Sequence, residues 1–182
     1  MYSCLKKTYK KIKREKEFKN EILLYNSLNA DDSFKITKED MNPQLKDKYE
    51  SAGYIDGHYF FQDIYMAKKV IQSGVKKHYD IGSRVSGFIS NLLASNVVKK
   101  VTMLDIRPLP FNVEGLDFIQ ADATNLDNIE DNSIESLSSL HAIEHFGLGR
   151  YGDPIDPYAW KKALKAIQRK LKPNGFFTLV FL

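Results

Sequence analysis

A chain of 182 residues, 43% hydrophobic and 27% charged, has the length and composition of one soluble domain with a small appendage. Its one cysteine, Cys4, excludes an internal disulfide framework, and no apolar run reaches the roughly 18 residues of a membrane helix. The formal net charge of +4 is unevenly placed: Met1 to Asn20 holds eight Lys/Arg against Glu15 and Glu17. No apolar segment of signal-peptide type follows that basic stretch, so the expected location is cytoplasmic.

In chain order, residues 1–28 read as a basic amphipathic helix with Leu5, Tyr9 and Ile12 on one stripe. Such a helix can pack on a domain by its stripe or lie on an anionic membrane surface. Nucleic-acid binding is not expected, since no recognition motif accompanies the charge. Residues 1–50 form this extension and its linker, and residues 51–182 the main domain. A short helix is expected over 44–52, capped by Gly53, and another over 61–72 with Ile64, Ala67, Val70 and Ile71 on one face.

The main domain alternates strands and helices. Strands are expected at 77–82, 100–105, 116–120, 134–140 and 176–182. Helices are expected at 85–96 and 157–171, the second with Trp160, Leu164, Ile167 and Leu171 as its apolar face. Pro108 and Pro110 bar a regular element between the second and third strands. Alternation of this kind predicts a mostly parallel sheet with helices on both faces. The unbroken apolar run at 176–182 reads as a buried strand, and Trp160 as core.

The chemistry centres on the first strand and its turn, Asp80-Ile81-Gly82-Ser83-Arg84. Gly82 lets backbone approach a ligand, and the next helix offers N–H groups at its start. Asp105 follows Gly82 by 23 residues, close to the spacing of about 20 at which an acid meets ribose hydroxyls. Arg84 and Ser86 stand where a phosphate-binding turn would carry glycines. The pattern therefore favours a nucleoside ligand without a pyrophosphate.

Asp80-Ile81-Gly82, Asp105 after the second strand, Asp122 after the third, Glu144-His145 beyond the fourth and Leu171-Lys172-Pro173-Asn174-Gly175 before the fifth resemble class I S-adenosylmethionine-dependent methyltransferases. Tyr59 to Asp63, Asp80 to Arg84 and Ser138 to Pro154 further resemble the group known as domain of unknown function 268. The resemblance implies a Rossmann-like α/β fold and S-adenosylmethionine as cofactor. Asp80, Gly82 and Ser83 would form the methionine-side turn. Asp105 and Ile106 would meet the ribose, Asp122 and Ala123 the adenine, and Leu140 and His141 the sulfonium side. The implied acceptor is a small molecule or glycan.

A general base is needed only where the acceptor must lose a proton. His141, Glu144 and His145 are the candidates, on one face if that segment is helical. Arg150, Tyr151 and Asp153, in the glycine-rich run after the fourth strand, are candidate substrate contacts. Arg150 could instead pair with Asp153 or Asp156, and Asp80 could fix the turn through backbone N–H groups. No metal is expected, because only His58 could supplement the cluster. The chain stops inside the expected fifth strand, short of the further strands of that fold. This predicts a truncated domain, or a sheet edge through which copies associate. The competing readings are a non-catalytic nucleoside-binding module and a nicotinamide-dependent oxidoreductase, which the incomplete glycine turn disfavours.

Overall fold

Five strands, β1 (Lys77–Ile81), β2 (Lys100–Asp105), β3 (Leu116–Gln120), β4 (Ile134–Leu140) and β5 (Leu171–Val180), form one sheet in the order β3-β2-β1-β4-β5. All four pairings are parallel. In this computed structural model residues 2–53, 55 and 57–181 are described. They fall into two units, Met1–Ile55 and Asp56–Leu182.

In the first unit the basic helix α1 spans Tyr2–Leu28. Its inner side is not the expected stripe. Tyr9 is 70% and Ile12 59% exposed, while Phe18, Ile22 and Asn26 are half-buried, and the side chain of Leu5 lies outside the described residues. The Asn26 amide makes two hydrogen bonds to the Ile36 backbone, both 2.9 Å, so a polar side chain ties the linker back to the helix. Tyr49 donates to Glu17, and Lys48 pairs with Glu21. Residues 44–52 form only a 3₁₀ turn, Asp47–Tyr49, rather than the expected helix. So short a segment does not recover the cost of helix nucleation.

In the second unit, strand alternation sends side chains to two separate cores. One face of the sheet carries Val101, Met103 and Leu140 against helix α2 (Gly57–Gln72), a π-helical turn (Val85–Ile89) and α3 (Ser90–Leu93). The other carries Ile81, Leu104 and Leu137 against Leu126, Ile129 and helix α4 (Ala159–Lys170). The chain runs from β1 outward to β2 and β3, then returns across the sheet to β4 and β5. Crossovers of one hand therefore land on opposite faces, and a cleft opens where the direction reverses, between β1 and β4.

Three expectations need correction. The helix expected at 85–96 ends at Leu93 and begins as a π-turn. Helix α4 buries Ala159, Ala163, Ala166, Ile167 and Lys170, leaving Trp160 49% exposed rather than in the core. Its alanines allow close approach to the sheet, and Trp160 lies about 100° around from Ala159. The aromatic run of β5 is half-buried, because β5 has a neighbour on one side only among the described strands. Its Lys172-Pro173-Asn174-Gly175 stretch bulges from the ladder, so Ile134 faces Leu171 but Ser136 faces Phe176. Leu182 lies outside the described residues.

Candidate functional site

The turn after β1 rests on a buried chain of polar groups beneath the first core. His78 sits between Ser136 (Nδ1 to Oγ, 2.5 Å) and Ser138 (Nε2 to Oγ, 2.8 Å). The Ser138 hydroxyl donates to Asp80, which also accepts the Ser83 N–H at 2.9 Å and the Ser83 hydroxyl at 2.8 Å. The donors run in one sense from Ser136 through a neutral His78 to an ionised Asp80, so the serines of β4 explain its polar sequence. Burial holds the His78 pKa down to about 3. Burial pushes that of Asp80 up to about 6, against the opposing pull of Ser138 and Ser83. Asp80 and Ser83 thus build the turn from behind, and neither lines the cleft.

Gly82 adopts φ +71°, and a Cβ there would lie 2.9 Å from the Cβ of Ala142. Glycine meets both the backbone and the packing demand. A second close approach occurs at Gly87, where a Cβ would stand 2.0 Å from Asp63 Oδ2. Asp63, on the buried stripe of α2, accepts the Phe88 N–H, and Arg84 lies 3.8 Å from its carboxylate. Burial raises the Asp63 pKa despite Arg84. The helix start expected to face a ligand therefore already carries the protein's own anion. A pyrophosphate would meet a carboxylate where it needs free N–H groups.

Beyond the strand ends lies a cavity of about 260 Å³, lined among others by Gly82, Asp105, Ile106, Asp122, Ala123 and His141. Parallel register brings the first three strand ends level, since Ile81 faces Leu104 and Leu104 faces Ile119. The Asp105 side chain is only 8% exposed and is held by Arg107. Arg107 donates from its backbone N–H and Nε to Oδ1, both at 2.9 Å, and from Nη2 to Oδ2 at 2.7 Å. The Asp105 carboxylate keeps that guanidinium protonated more firmly than usual. Its Cζ stands 4.3 Å from the centre of the Tyr151 ring. Asp122 accepts the Thr124 N–H at 2.8 Å. Leu140 is buried in the first core.

After β4 the candidates separate. His141 has φ +55° and precedes a 3₁₀ turn, Ile143–His145, so His141, Glu144 and His145 do not share a helical face. The His141 side chain lines the cavity, with Nδ1 3.2 Å from Glu144 Oε1 and Nε2 2.6 Å from the Gln62 amide. Both ring nitrogens are held by protein groups. Tyr59 meets the ring edge-on at 5.0 Å, and His58 at 5.9 Å. His145 points elsewhere, with Nε2 3.2 Å from Arg150 Nη1.

The glycine-rich loop is built around Asp153. Its carboxylate accepts N–H groups from Gly147 (2.7 Å), Gly149 (3.3 Å) and Tyr151 (3.1 Å). Burial pushes that carboxyl up, but the N–H donors outweigh it and hold the pKa below the usual value. Tyr151 and Asp153 line the cavity, and Arg150 does not. Arg150 bonds to His145 and stacks 5.2 Å from the Tyr151 ring, while Asp156 pairs with Lys162 at 2.6 Å.

Sequence reasoning missed Arg107, Lys162, Gln62 and Asp63. Arg107 sits two residues past Asp105, where an Asp-x-Arg pair can close on itself, and Asp63 interrupts an apolar stripe. Both signals are local. Gln62 lies in the Tyr59 to Asp63 block, but its contact with His141 spans 79 positions and no local spacing signals it.

A profile described as a methyltransferase domain matches residues 79–179, more than half of the chain. No curated protein matches significantly. Among solved structures, one similar chain comes from the complex of the Haloferax volcanii Trm112 methyltransferase activator with a methyltransferase. It is 20% identical with a TM-score of 0.48, over 66% of this chain and 51% of that one. Another is Burkholderia thailandensis 1,6-didemethyltoxoflavin-N1-methyltransferase, with bound 1,6-didemethyltoxoflavin and S-adenosylhomocysteine. It is 18% identical with a TM-score of 0.48, over 68% of this chain and 55% of that one. The chain spans about half the length of these solved structures.

Proposed function

The chain belongs to the methyltransferase-domain family, and from that premise we propose that it binds S-adenosylmethionine and transfers its methyl group to a small-molecule acceptor. The observation that carries the reading is one cavity lined by the Gly82 turn, Asp105 at the end of β2, Asp122 beyond β3 and His141 beyond β4.

These residues fit that cofactor. The Gly82 turn brings bare backbone to the cavity wall, Asp105 and Asp122 are acceptors for hydroxyl and amino donors, and Ile106 and Ala123 offer apolar contact. Asp63 at the helix start disfavours a dinucleotide. The cofactor supplies an activated methyl group on a sulfonium. The protein's part is orientation, and alignment of the reacting groups can remove several kcal/mol of barrier.

In this reading His141, fixed between Gln62 and Glu144, shapes the wall beside the reacting methyl, and Tyr151 and Asp153 bound the acceptor side. A hydroxyl acceptor would need His141 to exchange its bond to Gln62 for one to the acceptor. Within the family, the run from Ser138 to Pro154 favours the group resembling domain of unknown function 268, and a glycan is the acceptor subtype we carry forward.

Calorimetric titration with S-adenosylhomocysteine tests the proposal, run beside Asp105→Ala. Binding that the substitution weakens about 100-fold is the expected result. A folded wild-type chain that binds none rules out the cofactor site.

A further inference from the structure

Two acceptor oxygens on Asp105 are what a ribose diol would seek, and both are taken by Arg107. The match is two for two. The backbone N–H of Arg107 holds Oδ1 whatever its side chain does, while the side chain adds one donor to each oxygen, Nε to Oδ1 and Nη2 to Oδ2. A vicinal diol likewise offers one O–H to each oxygen. The Asp105 side chain is 8% exposed, so its charge needs a partner when no ligand is bound. The Arg107 side chain is 50% exposed, so its own head group can return to water at modest cost.

We infer that Arg107 is an internal counter-ligand: it neutralises Asp105 in the ligand-free protein and must be displaced for the cofactor's ribose to bind, which makes it an affinity-setting residue of the site. The inference rests on the reading of Asp105 as the ribose acceptor. Displacement has a second consequence. The same guanidinium packs on Tyr151, in the loop closed by Asp153, so its departure removes one contact from the acceptor side of the cavity. Cofactor binding then loosens Tyr151 before an acceptor arrives.

Titration of wild type, Arg107→Ala, Arg107→Lys and Asp105→Ala with S-adenosylhomocysteine, each also followed by thermal melting, tests the inference. Arg107→Ala should bind about tenfold more tightly than wild type, because the two side-chain bonds to Asp105 no longer have to be displaced. Ligand-free, it should melt at a lower temperature, because Asp105 has lost two donors. Arg107→Lys, which keeps the charge but not the fork, should fall between, and it covers failure of the alanine variant to fold. Raising potassium chloride should tighten binding to wild type but not to Arg107→Ala, since salt weakens the internal pair.

Equal or weaker binding by both Arg107 variants overturns the inference and leaves the cofactor reading standing. Undiminished binding by Asp105→Ala, or no binding by any folded variant, instead removes the ribose assignment itself and the inference with it.

Discussion

Two buried acids stand one strand apart in this molecule and are neutralised in opposite ways. Asp80 is fully buried and answered by hydroxyls and a backbone N–H, with no cation in its hydrogen-bond network among the described residues. Asp105 faces the cavity and is answered by a half-exposed arginine. A hydroxyl network among packed strands has nowhere to go, whereas an ion pair at a cavity wall can exchange one partner for another. The first acid is structural and shapes the turn. The second lies at the cavity wall beside a partner that is half-exposed to water.

The largest effect should come from the turn that Asp80 supports. Gly82→Ala forces a side chain into the left-handed region and against Ala142. It should cost about 3 to 4 kcal/mol, the sum of the conformational and overpacking penalties. Urea denaturation measures it, and a loss under about 1 kcal/mol would mean the turn is not rigid.

Next comes pH. The folded pKa of Asp80 is raised to about 6 from 3.8, so its contribution to stability is full below 3.8 and lost as pH rises through about 6. The folded pKa of His78 is lowered to about 3 from 6.5, so its contribution is full above 6.5 and lost as pH falls through about 3. Between about pH 4 and pH 6 the two slopes oppose each other. Asp80→Asn should therefore lose stability relative to wild type by about 1.4 kcal/mol per pH unit on acidification through that window, or about 3 kcal/mol in all. Parallel denaturation curves for the two proteins at every pH would break the contrast between the two acids.

On the other side of the comparison, Asp105→Ala should weaken S-adenosylhomocysteine binding about 100-fold, or about 2.7 kcal/mol, with little change in the unfolding midpoint. A large stability loss with retained affinity would make Asp105 structural, like Asp80. Smallest is Gln62→Ala, which frees Nε2 of His141. It should cost about 1 kcal/mol of stability, and the His141 imidazole resonances in an NMR spectrum should move while those of His78 do not.

Much of the fold was legible in the chain. The strand spans agree with expectation to within a residue or two for the first four strands, because each is an apolar or alternating run bounded by turn residues. The acids at the strand ends were legible too, since parallel register carries a residue just past one strand to the same rim as its counterpart past the next. Trp160 was misread because helical spacing marks a stripe without saying where the sheet will touch it. Spacing groups His141, Glu144 and His145, but a left-handed residue followed by a 3₁₀ turn keeps only the first two in contact and sends His145 to Arg150.

By itself, then, the sequence determined the α/β alternation, the glycine turn and the acids at the end of β2 and beyond β3, all properties of residues near one another in the chain. Tertiary structure decided which acid is sealed and which faces the cavity, that Asp63 occupies the helix start, and that Gln62 holds His141. The physical reason is range. Propensity and periodicity act over a few residues, while burial and hydrogen-bond partnership depend on groups that only the closed sheet brings together.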